Sequence, residues 1–273
     1  MSRGVAEGSL GKIHLGRGVM KIKFLGVGEA FDEELSNTSI WVRISEGRKT
    51  HSILLDCGFT APPPFWRSCP DPDNLDAVWI SHFHGDHFFG LPALLARFRE
   101  MKRAKPLLIL GQRGIEQAVV GTLELAYSSV VGKLGYDIRF MTVEPGEVAR
   151  VAGVVWRTAE NGHRERDLAV SIEAGGARIF YSGDGLPTDE TLSLARGADL
   201  VIHEAFRLDA ENPGHANIIK CIQFARRAKT RLLALVHIER NDRRERREDI
   251  LRVSAEVRDF EVLMPEPGAE LEI

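Results

Sequence analysis

The chain has 273 residues, of which 44% are hydrophobic, and it carries a formal net charge of −3 at pH 7. It is long enough to bury a large core, and its small net charge gives no electrostatic reason to expect a nucleic-acid partner. Three cysteines at unrelated spacings argue against a disulfide framework. Because no apolar run resembles a membrane span or a secretion signal, we expect a cytoplasmic enzyme without a membrane partner.

Residues 1–19 are rich in glycine and are interrupted by the basic residues Arg3, Lys12 and Arg17. This composition predicts a flexible leader, because such a segment buries too little apolar surface to order itself. Periodic apolar residues begin at Met20, and neither half of the following sequence has a closed pattern of its own. We therefore predict a single domain over residues 20–273.

The order of the predicted elements indicates an α/β fold. Short apolar runs bounded by turn residues predict strands, whereas apolar residues at helical spacing predict helices. The predicted strands cover residues 20–25, 39–44, 52–55, 77–80, 106–110, 138–143, 148–151, 154–158, 169–173, 178–181 and 232–236. The predicted helices cover residues 93–101, 114–131 and 217–228, and the charged segment 240–252 is also expected to be helical.

The most informative stretch is His82-Phe83-His84-Gly85-Asp86-His87, directly after an apolar run. Histidines two residues apart can converge on one ion, while Asp86 and His87 can hold a second. Imidazole and carboxylate ligands suit zinc, with manganese or iron as substitutes. The alternative is a polar surface turn in which histidines occur by chance. The density of ligands within six residues favours the metal site.

More distant candidates turn this motif into a site. Asp56, Asp184 and His237 each follow a short apolar run, which is where strand ends present residues to a site, and His163 lies in a polar segment after a further strand. Taken singly, His163 is typical of a loop histidine, and Asp184 between two glycines is typical of a turn. Only the joint pattern predicts that these residues share one centre.

The order of these residues resembles the five motifs of the metallo-β-lactamase-fold hydrolases across nearly the whole chain. The resemblance implies a four-layer αββα sandwich with two divalent metal ions, Zn²⁺ by preference, at one edge of its sheets. Asp56 is expected to orient a ligating histidine and not to bind metal itself. The implied ligands form two sets with a shared bridge: His82, His84 and His163 for one ion, Asp86, His87 and His237 for the other, and Asp184 between them.

Two further segments narrow the resemblance to ribonuclease Z and related phosphodiesterases: His203-Glu204-Ala205 and Gly214-His215-Ala216-Asn217. In ribonuclease Z the second block is a Gly-His-Ser-Thr-like segment with a catalytic histidine that binds no metal, which implies this role for His215. Ala216-Asn217 departs from the hydroxyl pair. The alternative for His215 is a turn residue before the next helix. Glu204 either orients His215 or serves as a helix cap or ion-pair partner, and His203 is left unassigned.

One feature distinguishes the chain from ribonuclease Z. That enzyme grips tRNA with a long glycine- and proline-rich arm between its third and fourth metal motifs, whereas an ordinary strand pair separates His163 from Asp184 here. Acids interleave the arginines of segment 240–252, which favours a solvated helix with internal ion pairs over an RNA-binding patch. We therefore expect a small phosphodiester substrate, a nucleotide or a cyclic phosphate. Nucleic acid is not favoured as a partner, and a homodimer is compatible with the resemblance.

The expected reaction is hydrolysis by a hydroxide that bridges the two metal ions. Asp86 would orient this nucleophile, and His215 would donate a hydrogen bond to the phosphoryl oxygen or protonate the leaving oxygen. Three other functions stay open: tRNA 3′ processing by ribonuclease Z, hydrolysis of a lactone or thioester on the same fold, and nucleic-acid binding without catalysis. The complete set of ligands weighs against the last of these.

Overall fold

The structure is a computed structural model and describes residues 13–14 and 19–273. Two mixed β-sheets pack face to face, and helices cover both outer faces, so the expected α/β fold with four αββα layers is confirmed. Of the expected leader, residues 1–19, only Ile13–His14 and Val19 are described. Ile13–His14 form a short strand that pairs with the last strand of the chain. The remaining leader residues lie outside the described residues, and their flexibility stays a prediction.

The first sheet contains eight of the described strands and the second contains seven. In spatial order, the first sheet consists of β1 (Ile13–His14), β15 (Glu270–Glu272), β2 (Met20–Gly26), β3 (Ser39–Glu46), β4 (Lys49–Leu55), β5 (Ala77–Ile80), β6 (Leu107–Gly111) and β7 (Ile138–Thr142). The second sheet consists of β14 (Glu261–Leu263), β13 (Leu232–Val236), β12 (Leu200–Glu204), β11 (Ala177–Tyr181), β10 (Leu168–Ala174), β9 (Val154–Glu160) and β8 (Ala149–Val151).

Eight α-helices connect or cover the strands of the described residues. They are α1 (Pro62–Ser68), α2 (Gly85–Phe88), α3 (Leu91–Glu100), α4 (Ile115–Tyr127), α5 (Asp189–Ala195), α6 (Ile218–Ala228), α7 (Arg240–Glu245) and α8 (Arg247–Glu256). Among the residues described, no helix combines the length and apolarity that crossing a bilayer requires.

Strand direction brings distant residues to one edge of each sheet. β4, β5 and β6 are parallel neighbours, and so are β11, β12 and β13. Since parallel strands place their carboxyl ends on the same side, the residues that follow them come together. β10 runs antiparallel to β11, and the pairing of Val170 with Tyr181 places the start of β10 at this edge too. The loop 161–167 therefore joins the residues that follow the parallel strands.

The main core lies between the two sheets. Trp79 of β5 stacks on Trp156 of β9 with ring centroids 6.2 Å apart, and both rings are fully buried. A second core lies beneath α1, α3 and α4, and a third lies beneath α5, α6 and α8. Because strands from both halves of the chain build the main core, neither half could bury its apolar face alone. On this basis we propose that residues 20–273 form one domain.

Three helices were not predicted. The short α2 overlaps the histidine motif, and α1 and α5 escaped prediction for local reasons. α1 begins with the run Pro62–Pro64, and a run of prolines normally predicts that no helix forms. Proline is nevertheless accepted in the first turn of a helix, because the backbone N–H groups there have no partner within the helix. α5 is short and depends on Thr188, whose hydroxyl accepts the backbone N–H of Thr191 at 3.1 Å. The predicted helix 114–131 ends earlier, at Tyr127, and continues as a 3₁₀ turn.

The arginine-rich segment 240–252 is helical as predicted, but the interpretation of its ion pairs as internal is mostly wrong. Arg252 does contact Asp249 within α8, at 2.6 Å. Arg246 also contacts Asp249, at 3.9 Å, and the remaining pairs connect the segment to distant parts of the chain, for example Arg244 to Glu33 at 2.7 Å. The segment breaks into α7 and α8 at Arg246, so it docks against the fold and does not form one independent solvated helix.

Candidate metal centre

The predicted ligands gather at the edge of the sandwich described above. The first group is His82, His84 and His163, whose ligand atoms all lie within 4.8 Å of one another. His84 and His163 approach most directly, with Nδ1 of His84 3.3 Å from Nε2 of His163. The rings of His82 and His84 have centroids 4.6 Å apart. Three imidazoles therefore converge from the β5–α2 loop and the β9–β10 loop on one point.

The second group is Asp86, His87, Asp184 and His237. Nε2 of His87 lies 3.2 Å from Asp86 Oδ2 and 3.3 Å from Asp184 Oδ1. Nε2 of His237 lies 3.1 Å from Asp86 Oδ2 and 3.4 Å from Asp184 Oδ2. Asp184 thus faces both histidines with different oxygens, and all four side chains are buried.

Asp56 lies behind the second group and orients it. Nδ1 of His87 donates to Asp56 Oδ2 at 2.7 Å, which leaves Nε2 of the ring directed at Asp86 and Asp184. The same carboxylate accepts the Ser81 backbone N–H and hydroxyl, both at 2.8 Å, and the Tyr181 hydroxyl at 2.6 Å. A carboxylate with this many donors holds the imidazole in one tautomer and one orientation.

Sequence reasoning missed Asp167, which contacts His82 as Asp56 contacts His87. Asp167 Oδ2 lies 2.7 Å from Nδ1 of His82, and both side chains are fully buried. The carboxylate also accepts the backbone N–H of Asp184 at 3.0 Å and the Asn161 amide at 2.6 Å. The only signal in the sequence is an acid directly before strand β10, so its role depends on the fold.

Burial keeps two rings of the first group, those of His82 and His84, neutral. Burial lowers the pKa of His82 to about 3, and burial also lowers the pKa of His84. Both rings are therefore uncharged at neutral pH, which is the form in which an imidazole nitrogen can bind a metal ion.

In the second group the carboxylates stay ionised. Burial by itself raises the pKa of Asp184, but His237 and His87 hold it well below its usual range. The pKa of Asp86 is lowered against burial by the same two rings. Conversely, burial disfavours a charged His237, yet Asp184 raises its pKa to about 9. The negative charge of the two buried carboxylates is compensated by protons on the neighbouring histidines. A divalent cation can replace those protons.

Buried atoms without partners show that the residues fit a metal ion. Nε2 of His82, Nε2 of His87 and Oδ1 of Asp184 are buried and have no hydrogen-bond partner. Buried polar atoms are nearly always hydrogen-bonded, so unpartnered ones within the two ligand groups indicate an unseen ligand. Two imidazole nitrogens and a carboxylate oxygen match the donor set that zinc and similar divalent ions prefer.

The backbone of the site adopts uncommon conformations. Asp56 has φ 58° and His237 has φ 55°, in the left-handed region that favours glycine. Gly183 has φ 62°, and a Cβ there would overlap the Asp167 carboxylate. A Cβ at Gly58 would overlap the carbonyl oxygen of Asp86. These positions let the loops approach closely enough to bring the ligand groups together.

His215 comes to the same cleft from the turn before α6. Its ring stacks on Phe206, with centroids 4.8 Å apart and planes 27° apart, and lies 6.0 Å from the ring of His237. Nδ1 of His215 is 3.5 Å from Glu204 Oε1 and 3.9 Å from Asp184 Oδ2. Burial lowers the pKa of His215, but Glu204 more than offsets this and raises it overall. His215 therefore lies next to the proposed metal ligands, with the carboxylate of Glu204 beside its ring.

Glu204 mainly organises the loops. Its carboxylate accepts the backbone N–H groups of Gly185 at 3.0 Å, Ala216 at 2.7 Å and Phe206 at 3.2 Å. It therefore joins the loop of Asp184 to the turn of His215 and also lies next to the His215 ring. His203 points away from the cleft, against Phe180 and Phe224, and its Nδ1 contacts the Glu204 carbonyl oxygen at 2.7 Å. Adjacent side chains on a strand diverge in this way.

The site opens into a cleft of about 530 Å³. This volume is in the range of pockets for small molecules, about 300–1,000 Å³. The lining includes His84, Asp86, Asp184, His215 and His237, together with residues 29–31 and Arg240.

Replacement of Asp167 by alanine is expected to lower metal affinity by about 10- to 100-fold, because the ring of His82 loses the group that orients it. The measurement is competition with a chelator of known affinity. Glu165→Ala removes an exposed acid two positions away and serves as the matched control. Wild-type metal affinity in the Asp167 variant would show that His82 needs no such support.

Known proteins resemble the chain in both sequence and fold. It is 28% identical over 274 residues to ribonuclease Z of Methanosarcina acetivorans, with 81% of this chain and 88% of that protein covered. Its fold is similar to that of the metallo-β-lactamase fold protein YhfI from Bacillus subtilis, with a TM-score of 0.76, 21% identity, and coverage of 93% and 99% of the two chains. The short form of human tRNase Z gives a TM-score of 0.74, 23% identity and coverage of 93% and 99%.

Fold, site and similarities together define a metal-dependent hydrolase of the metallo-β-lactamase superfamily, in the branch of ribonuclease Z and related phosphodiesterases. Within this class, residues 20–254 match the family model described as anti-Pycsar protein Apyc1. The match covers most of the chain, and the chain belongs to that family.

Proposed function

We propose that the protein is a phosphodiesterase that uses two divalent metal ions to hydrolyse a small nucleotide or a cyclic phosphate diester. The observation that carries the proposal is the convergence of two ligand groups and His215 on a single cleft. Its location in the cytoplasm, expected from the sequence, is part of the proposal, and its three cysteines are free and buried.

The two ligand groups suit two ions, with Zn²⁺ as the proposed metal and Mn²⁺ or Fe as substitutes. Ions bound there lower the pKa of water and withdraw charge from a phosphoryl oxygen. The proposed ligands are His82, His84 and His163 for one ion, Asp86, His87 and His237 for the other, and Asp184 for both.

Around this centre, protein residues orient the attacking water and donate protons. Asp86 lines the cleft, and its carboxylate can orient an attacking water as well as bind metal. His215 lies beside Asp184 and can donate a hydrogen bond to a phosphoryl oxygen or a proton to the departing oxygen. Glu204 holds the His215 turn and the Asp184 loop next to each other, because its carboxylate accepts backbone N–H groups from both.

The size of the substrate follows from the connection between His163 and Asp184. Strands β10 and β11 form a hairpin closed by Gly175 and Gly176, and this connection contains no protruding arm. Each arginine of segment 240–252 contacts an acid, which leaves no open basic surface there: Arg240, Arg243, Arg244, Arg246, Arg247 and Arg252. A small diester is therefore favoured over tRNA.

The corresponding prediction is hydrolysis of small phosphodiesters, such as bis-p-nitrophenyl phosphate and nucleoside cyclic phosphates, without specific 3′ cleavage of precursor tRNA. Binding of precursor tRNA should be weak and should fall steeply with salt, because it would depend on phosphate contacts alone. Kinetic assays on both substrate types, with a lactone and S-lactoylglutathione included, measure this. Preference for the last two compounds would indicate carbonyl chemistry instead.

Ribonuclease Z activity is the second candidate, favoured by the similarity to the archaeal ribonuclease Z. A partner subunit could supply an arm that this chain lacks, and a homodimer is one such arrangement. Efficient, site-specific cleavage of precursor tRNA by the purified protein would establish this function in place of the proposed one.

A further inference from the structure

A loop that lines the cleft beside the ligand groups presents an exposed aromatic ring. Phe31 is 77% exposed and lines the cleft. A phenylalanine exposed to this extent leaves most of its apolar surface in water, so a ligand in the cleft could cover it with a gain in free energy.

The loop that carries Phe31 is anchored by several hydrogen bonds, so the exposure of the ring does not result from a flexible segment. The buried Glu29 accepts the backbone N–H of Phe31 at 2.8 Å with one oxygen and pairs with Arg240 through the other. The Asn37 amide donates to the Glu29 carbonyl at 3.2 Å, and its oxygen accepts the Thr60 N–H at 2.9 Å. The backbone at Phe31 is therefore held in place, which keeps the residue at the cleft.

The charges around this loop disfavour phosphate at its position. Four carboxylates and two guanidinium groups meet here, which leaves two negative charges in excess: Glu29, Asp32, Glu33 and Glu34 against Arg240 and Arg244. The side chains of Glu33 and Glu34 are 60% and 67% exposed. This excess of negative charge favours an uncharged substrate group against Phe31, with the phosphate at the ligand groups.

We propose that Phe31 is a specificity-determining residue that stacks on the nucleobase of a nucleoside phosphodiester. The inference rests on the proposed phosphodiesterase function and deepens it, because it names the substrate group that Phe31 recognises. Aromatic side chains stack on all bases through their π-faces, so the ring selects for a base without selecting among bases. The acidic loop excludes a second phosphate and thereby favours mononucleotides over longer strands.

The test compares Phe31→Ala with the wild type on two substrates: a nucleoside cyclic phosphate and the corresponding cyclic phosphate of 1-O-methylribose, which has no base. Both the 2′,3′ and the 3′,5′ isomers are used. The KM for the nucleoside compound should rise roughly 10- to 100-fold, in line with the loss of one stacking contact, while the KM for the base-free compound stays unchanged. Phe31→Trp should restore the KM. Leu125→Ala, at a 90% exposed position on α4, is the matched control and should behave as wild type.

Different failures have different meanings. If the enzyme hydrolyses both substrates and Phe31→Ala has the same KM for each as the wild type, the inference is wrong and the proposed function stands. If Phe31→Ala changes the sedimentation of the protein with no selective effect on KM, the ring contacts a second copy, and the inference is again wrong. If no diester is hydrolysed, the proposed function fails. In that case the Kd of a nucleoside monophosphate, measured by calorimetry for both proteins, still decides whether Phe31 binds a base.

Discussion

His84→Ala is expected to lose bound metal and hydrolytic activity together. His84 supplies one of the three imidazoles of the first ligand group, and its Nδ1 lies 3.3 Å from Nε2 of His163. Without His84, the first ion keeps only His82, His163 and the shared Asp184, so it loses one protein ligand and should be held more weakly. Metal per chain, measured by mass spectrometry, and turnover of bis-p-nitrophenyl phosphate are the two readouts. We expect the wild-type protein to carry up to two zinc or manganese ions.

The matched control for this variant is His51→Ala. His51 contacts Glu46 at 3.5 Å on strand β4 and belongs to neither ligand group. Since His84 is only half-buried, its replacement should leave the fold intact, which a thermal melt can verify. Full metal content and unchanged turnover in His84→Ala would overturn the ligand assignment.

His215→Ala is expected to keep both metal ions while kcat falls by about 10²- to 10⁴-fold, the usual effect of removing a positioned acid. His215 lies beside Asp184 and Glu204, and its ring is held in place by Phe206. If it acts on the transition state, KM should change little compared with kcat. The measurement combines steady-state kinetics with metal analysis on the same preparation.

Two results would contradict the role of His215. The structure also brings His215 within 4.8 Å of Asp184 and His163, so loss of metal in the variant would identify it as a ligand. An unchanged kcat would show that it is only a turn residue before α6. His51→Ala again serves as the control, because it removes a histidine from outside the cleft.

The sequence alone predicted the α/β fold, its four layers and the residues that would meet at one edge. This was achievable because most of the predicted site residues occur in a short local pattern. Asp56, Asp184 and His237 follow apolar strands, and the histidine motif follows another. Strand ends are local features that the sequence reveals. Because neighbouring parallel strands end at the same edge of a sheet, the residues that follow them can be predicted to lie close together. The resemblance to a known family then assigned the ligand groups that the structure brings together.

Only the tertiary structure revealed the residues that support the site. Asp167 meets His82 because the antiparallel register of β10 with β9 and β11 brings its loop beside β5. Phe31 faces the cleft because Arg240, more than two hundred residues away, pairs with Glu29. Neither residue has a local signature, since an acid before a strand and an aromatic residue in a loop are both common. Their roles are set by contacts between segments distant in sequence, and such contacts exist only once the chain has folded.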